Sequence, residues 1–262
     1  MKNVKCSLAI EQIEDRLRYE PNIVELQLFE EDIRNPNRII QTIQLFQERK
    51  VKVYLHHPMK VNRKFLDILS KDPEVFEFYR SSCSIIYDIC ESEDILCVVH
   101  PHYEKCVSGM ADTFNENYII EKSIELKNAI QEIRNHKVDR FLWENAPTGI
   151  FSSLNPYWLT NIVEPIQLPL CYDISHAFMS FRGDNDKLEN EIISTYPFTH
   201  HYHVVDSKGT EIHDALSLGL GNIDWLRFKK YILNRDFIFE VDLPNYNDCT
   251  PMVESAAYFY SL

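Results

Sequence analysis

Six apolar runs in this chain lead into a carboxylate or an imidazole. Phe141-Leu-Trp runs into Glu144, Val53-Tyr-Leu into His56, Leu96-Cys-Val-Val into His100, Leu170-Cys-Tyr into Asp173 and Phe237-Ile-Phe into Glu240. The sixth, Tyr202-His203-Val-Val-Asp206, carries its histidine one step earlier. Buried strands that end on such groups at the mouth of a barrel are where an α/β enzyme keeps its chemistry. Oxygen and imidazole donors converging from several strands suggest one metal site.

Glu144, Asp173, His203 and Glu240 belong to four consecutive strands, which a closed barrel brings together. Two Glu, one Asp and one His suit a hard or borderline divalent ion: Mn²⁺, Zn²⁺, Mg²⁺ or Co²⁺. Each acid alone reads equally as a solvated strand end or a helix cap; the argument lies in the four equivalent positions. Asp173-Ile-Ser-His176 places an acid and a histidine three residues apart, where both can face one cavity. The alternative is that Asp173 caps the following turn and His176 is at the surface. His56 and His100 stand before turns, His57-Pro58 and Pro101-His102, and a metal-ligand role and a substrate hydrogen bond are both open for them. His57, His102, His200 and His201 carry no such positional argument and read as packing or surface residues. Asp242 shares a strand face with Glu240 but already lies in the loop. Near Gly219-Leu-Gly221, His213 and Asp214 either ligate or order the entry to the next helix.

The frame must hold those strand ends. At 262 residues, with 45% hydrophobic content and only 6 Gly, the chain suits one large folded domain. Its 40 acidic against 27 basic residues give a formal net charge of −13. That balance weighs against nucleic acid or an anionic membrane as main partner. Seven Cys, an odd number without CxxC pairs, read as buried thiols in a reducing compartment. With no signal-like start and no long apolar run, the expectation is a cytoplasmic protein without a membrane span, and oligomerisation stays open.

Strand-like and helix-like segments alternate throughout. Strands are expected at 4–10, 23–29, 51–55, 95–99, 141–143, 168–172, 200–205 and 237–241. Helices are expected at 11–19, 37–50, 115–136, from Asn155-Pro156, and at 184–195, 222–234 and 251–262. Between the third and fourth strands, 62–94 reads as a helical insertion, with periodicity in Phe65, Leu66 and Leu69 and again from Ser82 to Cys90. Eight alternations imply a parallel sheet that closes as a single-domain (β/α)₈ TIM barrel. An open doubly wound sheet is the competitor, but no Gly-rich turn follows the first strand.

At these residues the sequence resembles the xylose isomerase-like TIM-barrel superfamily, which includes sugar epimerases, isomerases and endonuclease IV. The marks are Ile23-Val-Glu-Leu26, Val98-Val-His-Pro101, Trp143-Glu-Asn145, Cys171-Tyr-Asp-Ile-Ser-His-Ala-Phe178, His203-Val-Val-Asp-Ser207 and Leu218-Gly-Leu-Gly-Asn-Ile223. For the epimerases the resemblance implies a metal on Glu144, Asp173, His203 and Glu240, with His176 binding substrate and the two glutamates passing protons on opposite faces. For endonuclease IV it implies a larger zinc cluster that also uses His56, His100 and His176. That cluster needs an Asp-x-His where this chain has His213-Asp214-Ala215, and the family's Gly-Glu-Gly becomes Gly219-Leu220-Gly221.

The first expectation is therefore a divalent-metal-dependent isomerase or epimerase of a sugar, sugar phosphate or sugar-like polyol, working through an enediolate. Glu144 and Glu240 would be base and acid. His56, His100, His176, Arg182 and Lys208 would bind substrate, the last two through an anionic group. Loops around Lys105 and Arg182 would set specificity. An endonuclease IV-like phosphodiesterase acting on abasic DNA is the alternative, and a barrel that binds without catalysis is the third.

Overall fold

The computed structural model describes residues 1–102, 116–134, 138–210 and 214–262. Its strands are β1 (Asn3–Ser7), β2 (Ile23–Gln27), β3 (Lys52–His56), β4 (Leu96–Val99), β5 (Phe141–Glu144), β6 (Leu170–Asp173), β7 (Thr199–Val204) and β8 (Asp236–Phe239). They pair in parallel in chain order, and β8 pairs β1 to close an eight-stranded barrel. The helices are α1 (Ile10–Arg18), α2 (Glu30–Ile33), α3 (Pro36–Gln47), α4 (Pro73–Glu93), α5 (Glu116–Ile133), α6 (Ile174–Ser180), α7 (Asn185–Thr195), α8 (Trp225–Ile232) and α9 (Thr250–Ser261). This is a single-domain (β/α)₈ TIM barrel.

Side chains alternate along a strand, and that period sorts every barrel strand into two jobs. One set, including Val24, Leu26, Val53, Leu55, Trp143, Tyr172, Tyr202 and Phe239, packs outward under the helices. The other set points into the barrel. Its lower layer is a small apolar cluster of Ile23, Tyr54, Val98, Leu142, Cys171 and Ile238. Two residues further along the same strands stand Glu25, His56, His100, Glu144, Asp173 and Glu240. A dry plug thus lies directly beneath a ring of polar groups.

The segment expected to be a helical insertion resolves differently. α4 is itself the crossover between β3 and β4, with Val75, Tyr79, Cys83, Ile86 and Cys90 on its buried stripe. Asp72 caps it by accepting from Glu74 N–H, and Pro73 occupies the first turn. Phe65, Leu66 and Leu69 are not helical. Phe65 lies in a small antiparallel hairpin, Lys60–Val61 with Lys64–Phe65, whose turn residues Asn62 and Arg63 both have positive φ. Asn155 bonds Tyr157 N–H as a cap would, yet the chain then forms a π-helical turn, Leu159–Val163, and a 3₁₀ turn. Ile10 starts α1 rather than ending β1.

The thiols of Cys6, Cys83, Cys90, Cys97, Cys171 and Cys249 are free and buried. Among the described residues no helix is long and apolar enough to cross a membrane.

Beyond β7, the buried Asp206 gathers the 207–223 loop by accepting from the N–H groups of Ser207, Gly219 and Ile223. The chain at Gly221 passes so close that a Cβ there would overlap Asp206 Oδ1 and Ser207 O. Gly221→Ala is therefore expected to destabilise by about 1–3 kcal/mol, the usual cost of overpacking, read as a lower denaturant midpoint at unchanged slope.

Candidate metal centre

The polar layer is built around Glu144, which is 1% exposed. Its Oε1 faces His203 Nδ1 at 3.2 Å, and its Oε2 faces His100 Nε2 at 2.9 Å and His56 Nε2 at 3.2 Å. His203 Nδ1 also lies 2.5 Å from Glu240 Oε2 and 3.9 Å from Asp173 Oδ2. Three groups of candidate ligands occur among the described residues, Glu144–Asp173–His203–Glu240, His56–His100–Glu144 and Cys171–His201–His203, within each of which the donor atoms lie within 4.8 Å of one another. The acids and histidines read from the strand ends come together.

Backbone geometry aims these donors. Asn145 reaches across to β6, its amide donating to Asp173 O at 3.0 Å and its Oδ1 accepting Asp173 N–H at 2.8 Å. Asp173 Oδ1 caps α6, accepting from His176 N–H at 2.7 Å and from the Ser175 hydroxyl at 2.8 Å. Its other oxygen stays with the cluster, so capping and ligation are compatible. His176 is buried, not at the surface, and its Nδ1–H donates to Asn145 O at 2.8 Å.

Proton placement tests whether a cation fits. A carbonyl can only accept, so His56 Nδ1 donates to His57 O at 2.9 Å. Neutral His56 then turns the Nε2 lone pair toward a carboxylate oxygen. His203 repeats the arrangement: Nε2 lies 3.0 Å from Glu25 Oε2 and donates to it, leaving Nδ1 toward three carboxylates. Glu240 Oε2 is buried and finds no donor in hydrogen-bonding geometry. Acceptors facing acceptors at these distances need a proton or a cation between them, and a carboxylate behind a ligand histidine is the usual support of a metal site. The donor set fits a divalent ion.

Electrostatics agree. Burial works against a charged His203, but the surrounding Cys171, Glu240, Glu25 and Glu144 outweigh it and raise its pKa well above the ordinary value. Burial likewise pushes the Glu144 carboxyl up, and the neighbouring His100 and His203 hold it well below the usual range instead. Burial lowers the pKa of His100 despite Glu144, so we assign the proton of this cluster to His203. A metal at Nδ1 would take that proton's place.

Three participants were not singled out as site residues in the sequence. Glu25, fully buried, holds both His203 and His201, the latter at 3.1 Å. Lys5, opposite Glu25 in the β1–β2 register, pairs with Glu240 and lies 3.4 Å from Glu25. Burial opposes the Lys5 charge, but Glu240, Glu25 and Glu144 outweigh it and raise its pKa. His201 is buried in the barrel rather than at the surface, stacked on Tyr54 with ring centroids 4.4 Å apart. The available signal was a charge in the middle of an otherwise apolar strand, as in Val4-Lys5-Cys6 and Val24-Glu25-Leu26.

Above the polar layer opens a cavity of about 720 Å³, lined by His56, His100, Glu144, Asp173, His176 and Glu240 among others. Arg182 and Lys208 are exposed and do not line it. Lys5, Arg16 and Lys60 are its basic lining residues. Asp214 accepts from the Ser207 hydroxyl and the Lys208 N–H, which orders the loop, and it joins none of the ligand groups found among the described residues. His213 and Lys105 lie outside the described residues. His57 and His102 are buried against Ser82 and Asp67, and His200 is exposed.

Residues 22–262 match the family model described as the xylose isomerase-like TIM barrel. The chain belongs to that family. No curated protein matches it. Among solved structures, the TTHB071 protein of Thermus thermophilus, soaked with ZnCl₂, is similar with a TM-score of 0.71 and 20% identity, over 99% of this chain and 96% of that one. A D-tagatose 3-epimerase-like protein gives 0.69 and 19%, over 100% and 96%. The D-psicose 3-epimerase of Clostridium cellulolyticum H10, solved with D-tagatose, gives 0.64 and 13%, over 100% and 98%. At such identities these likenesses establish the fold alone.

Added Mn²⁺ or Zn²⁺ is expected to raise the melting temperature and a chelator to lower it; indifference to both would remove the metal from this site. Ligands must shed protons to bind, so affinity should weaken as pH falls. Glu25→Gln, which loses the carboxylate behind His203, is expected to weaken metal binding about 10- to 100-fold by calorimetry.

Proposed function

We propose that the protein is a divalent-metal-dependent isomerase or epimerase of a sugar or sugar-like polyol. The observation that carries this reading is the convergence of Glu144 and Glu240 on His203 Nδ1, with Asp173, in a cavity of about 720 Å³. That volume falls in the range of small-molecule sites. Glu144, Asp173, His203 and Glu240 would hold the ion, which would polarise a carbonyl and acidify the neighbouring C–H.

The chain's own residues do the rest. One glutamate takes the proton from carbon, and the other returns a proton to the same or the adjacent carbon. The two acids come from β5 and from just after β8. His176, fixed by Asn145 O, lines the cavity where a substrate hydroxyl would lie. The neighbouring solved structures named for sugar epimerases support this reading by analogy of fold.

A second reading, metal-dependent phosphodiester hydrolysis, is favoured by one specific observation. His56 and His100 both close on Glu144 Oε2, which makes a second candidate group sharing that carboxylate. Two-ion sites joined in this way suit phosphoryl chemistry. The net charge of −13 counts against it, because DNA affinity rests mainly on cations set against phosphates.

The test is to incubate Mn²⁺- or Co²⁺-loaded protein with a panel of ketoses and aldoses in D₂O, and separately with an abasic-site duplex at low salt. Deuterium is expected beside a carbonyl, reduced about 10²- to 10⁴-fold in Glu144→Gln and Glu240→Gln. Strand cleavage with no deuterium in any sugar would reverse the order of the two readings.

A further inference from the structure

A lysine on an inward position of a barrel strand is costly unless its charge has work to do. Lys5 occupies such a position: its side chain is 12% exposed and lines the cavity, and its ammonium pairs with Glu240 Oε1 and lies 3.4 Å from Glu25 Oε1. An ammonium has three N–H bonds, and among the described residues Lys5 Nζ has those two acceptors only. Glu240 meanwhile presents its second oxygen, Oε2, to His203 Nδ1 at 2.5 Å. One carboxylate therefore separates the ammonium from the ligand nitrogen, a gap that two oxygens on neighbouring carbons can span.

We propose, resting on the enediolate reading above, that Lys5 is a catalytic residue whose ammonium hydrogen-bonds the substrate oxygen that gains negative charge as the C–H proton leaves. The proton passes from carbon to a glutamate, the C–H electron pair moves into the carbon framework, and the charge collects on the carbonyl oxygen. Lys5 keeps its own proton throughout. Its contribution is a donor set in place before reaction at a largely buried position, where such a bond is worth more than in bulk solvent. Glu25 and Glu240 hold that donor still, so little is lost in ordering it when charge develops. Charge balance alone would not require Lys5 to line the cavity.

The test uses Mn²⁺-loaded full-length protein and glycolohydroxamate, a small anionic mimic of an enediolate, with binding followed by calorimetry. Lys5→Met is expected to weaken glycolohydroxamate about 10- to 100-fold, the worth of one charge-assisted hydrogen bond. Mn²⁺ should bind that variant at least as tightly as wild type, since Glu240 loses a competing cation. Lys5→Arg, which keeps the charge and the fold if the Met variant does not, should recover part of the loss. Unchanged glycolohydroxamate affinity in Lys5→Met would overturn the proposal. So would a fall in Mn²⁺ affinity in step with the hydroxamate, which would make Lys5 a brace for Glu240. Wild-type protein that holds Mn²⁺ but does not bind glycolohydroxamate would remove the enediolate reading, and the Lys5 role with it.

Discussion

Four carboxylates, Glu25, Glu144, Asp173 and Glu240, are set into one buried layer, and everything around them answers their mutual repulsion. At separations near 4 Å and an effective dielectric near 20, each like-charge pair costs roughly 4 kcal/mol. Three acids share the ligand group around His203, so their repulsion rivals a whole domain's stability of about 5–15 kcal/mol. Hydrogen bonds from three histidines cannot offset that alone. Lys5 relieves one flank, between Glu25 and Glu240. The other flank, where His203 Nδ1 and His56 Nε2 face carboxylate oxygens, is where a divalent ion would lower the energy most. The cluster is a charge problem whose solution is the ligand it would bind.

The barrel makes such a layer possible through its two-residue period. Ile23, Tyr54, Val98, Leu142, Cys171 and Ile238 form the dry plug, and the residues two positions later form the polar floor. A one-residue register slip in any strand would exchange its acid or histidine for an outward-facing core residue. Fold and site are therefore specified by the same pattern, which is why both could be read together.

That coupling also sets what was legible beforehand. Glu144, Asp173, His203 and Glu240 were visible because each closes or nearly closes an apolar run, where a charge stands out. Lys5 and Glu25 sit inside their strands, and nothing in one strand's sequence tells which mid-strand charge will face a partner across the barrel. Their roles depend on the β1–β2 register, a tertiary fact. The failed expectations have the same origin. Arg182 and Lys208 come after the ligand strands in sequence, but loop direction carries them to the surface. For Asp214 the sequence left ligation and loop ordering open, and its bonds from Ser207 and Lys208 correspond to ordering. Phe65, Leu66 and Leu69 have helical spacing, but the positive φ of Asn62 and Arg63 turns that stretch back on itself as a hairpin.

Glu144 explains why one scaffold can stand so close to two chemistries. Its Oε1 belongs to the group with Asp173, His203 and Glu240, and its Oε2 to the group with His56 and His100. If only the first group were to hold an ion, His100 could still donate to Glu144, while His56, whose Nδ1 donates to His57 O, would turn only a lone pair toward that oxygen. If both groups hold ions, Glu144 becomes a bridge with no oxygen to spare, and proton transfer at its face is lost. On the proposed reading, occupancy of the His56–His100 pair would decide whether Glu144 could serve as a base. A second dication would add charge beside an ion that already offsets the acids, in a floor where Lys5 supplies one more positive charge. The Lys5 ammonium already offsets part of that negative charge, on the side of Glu25 and Glu240.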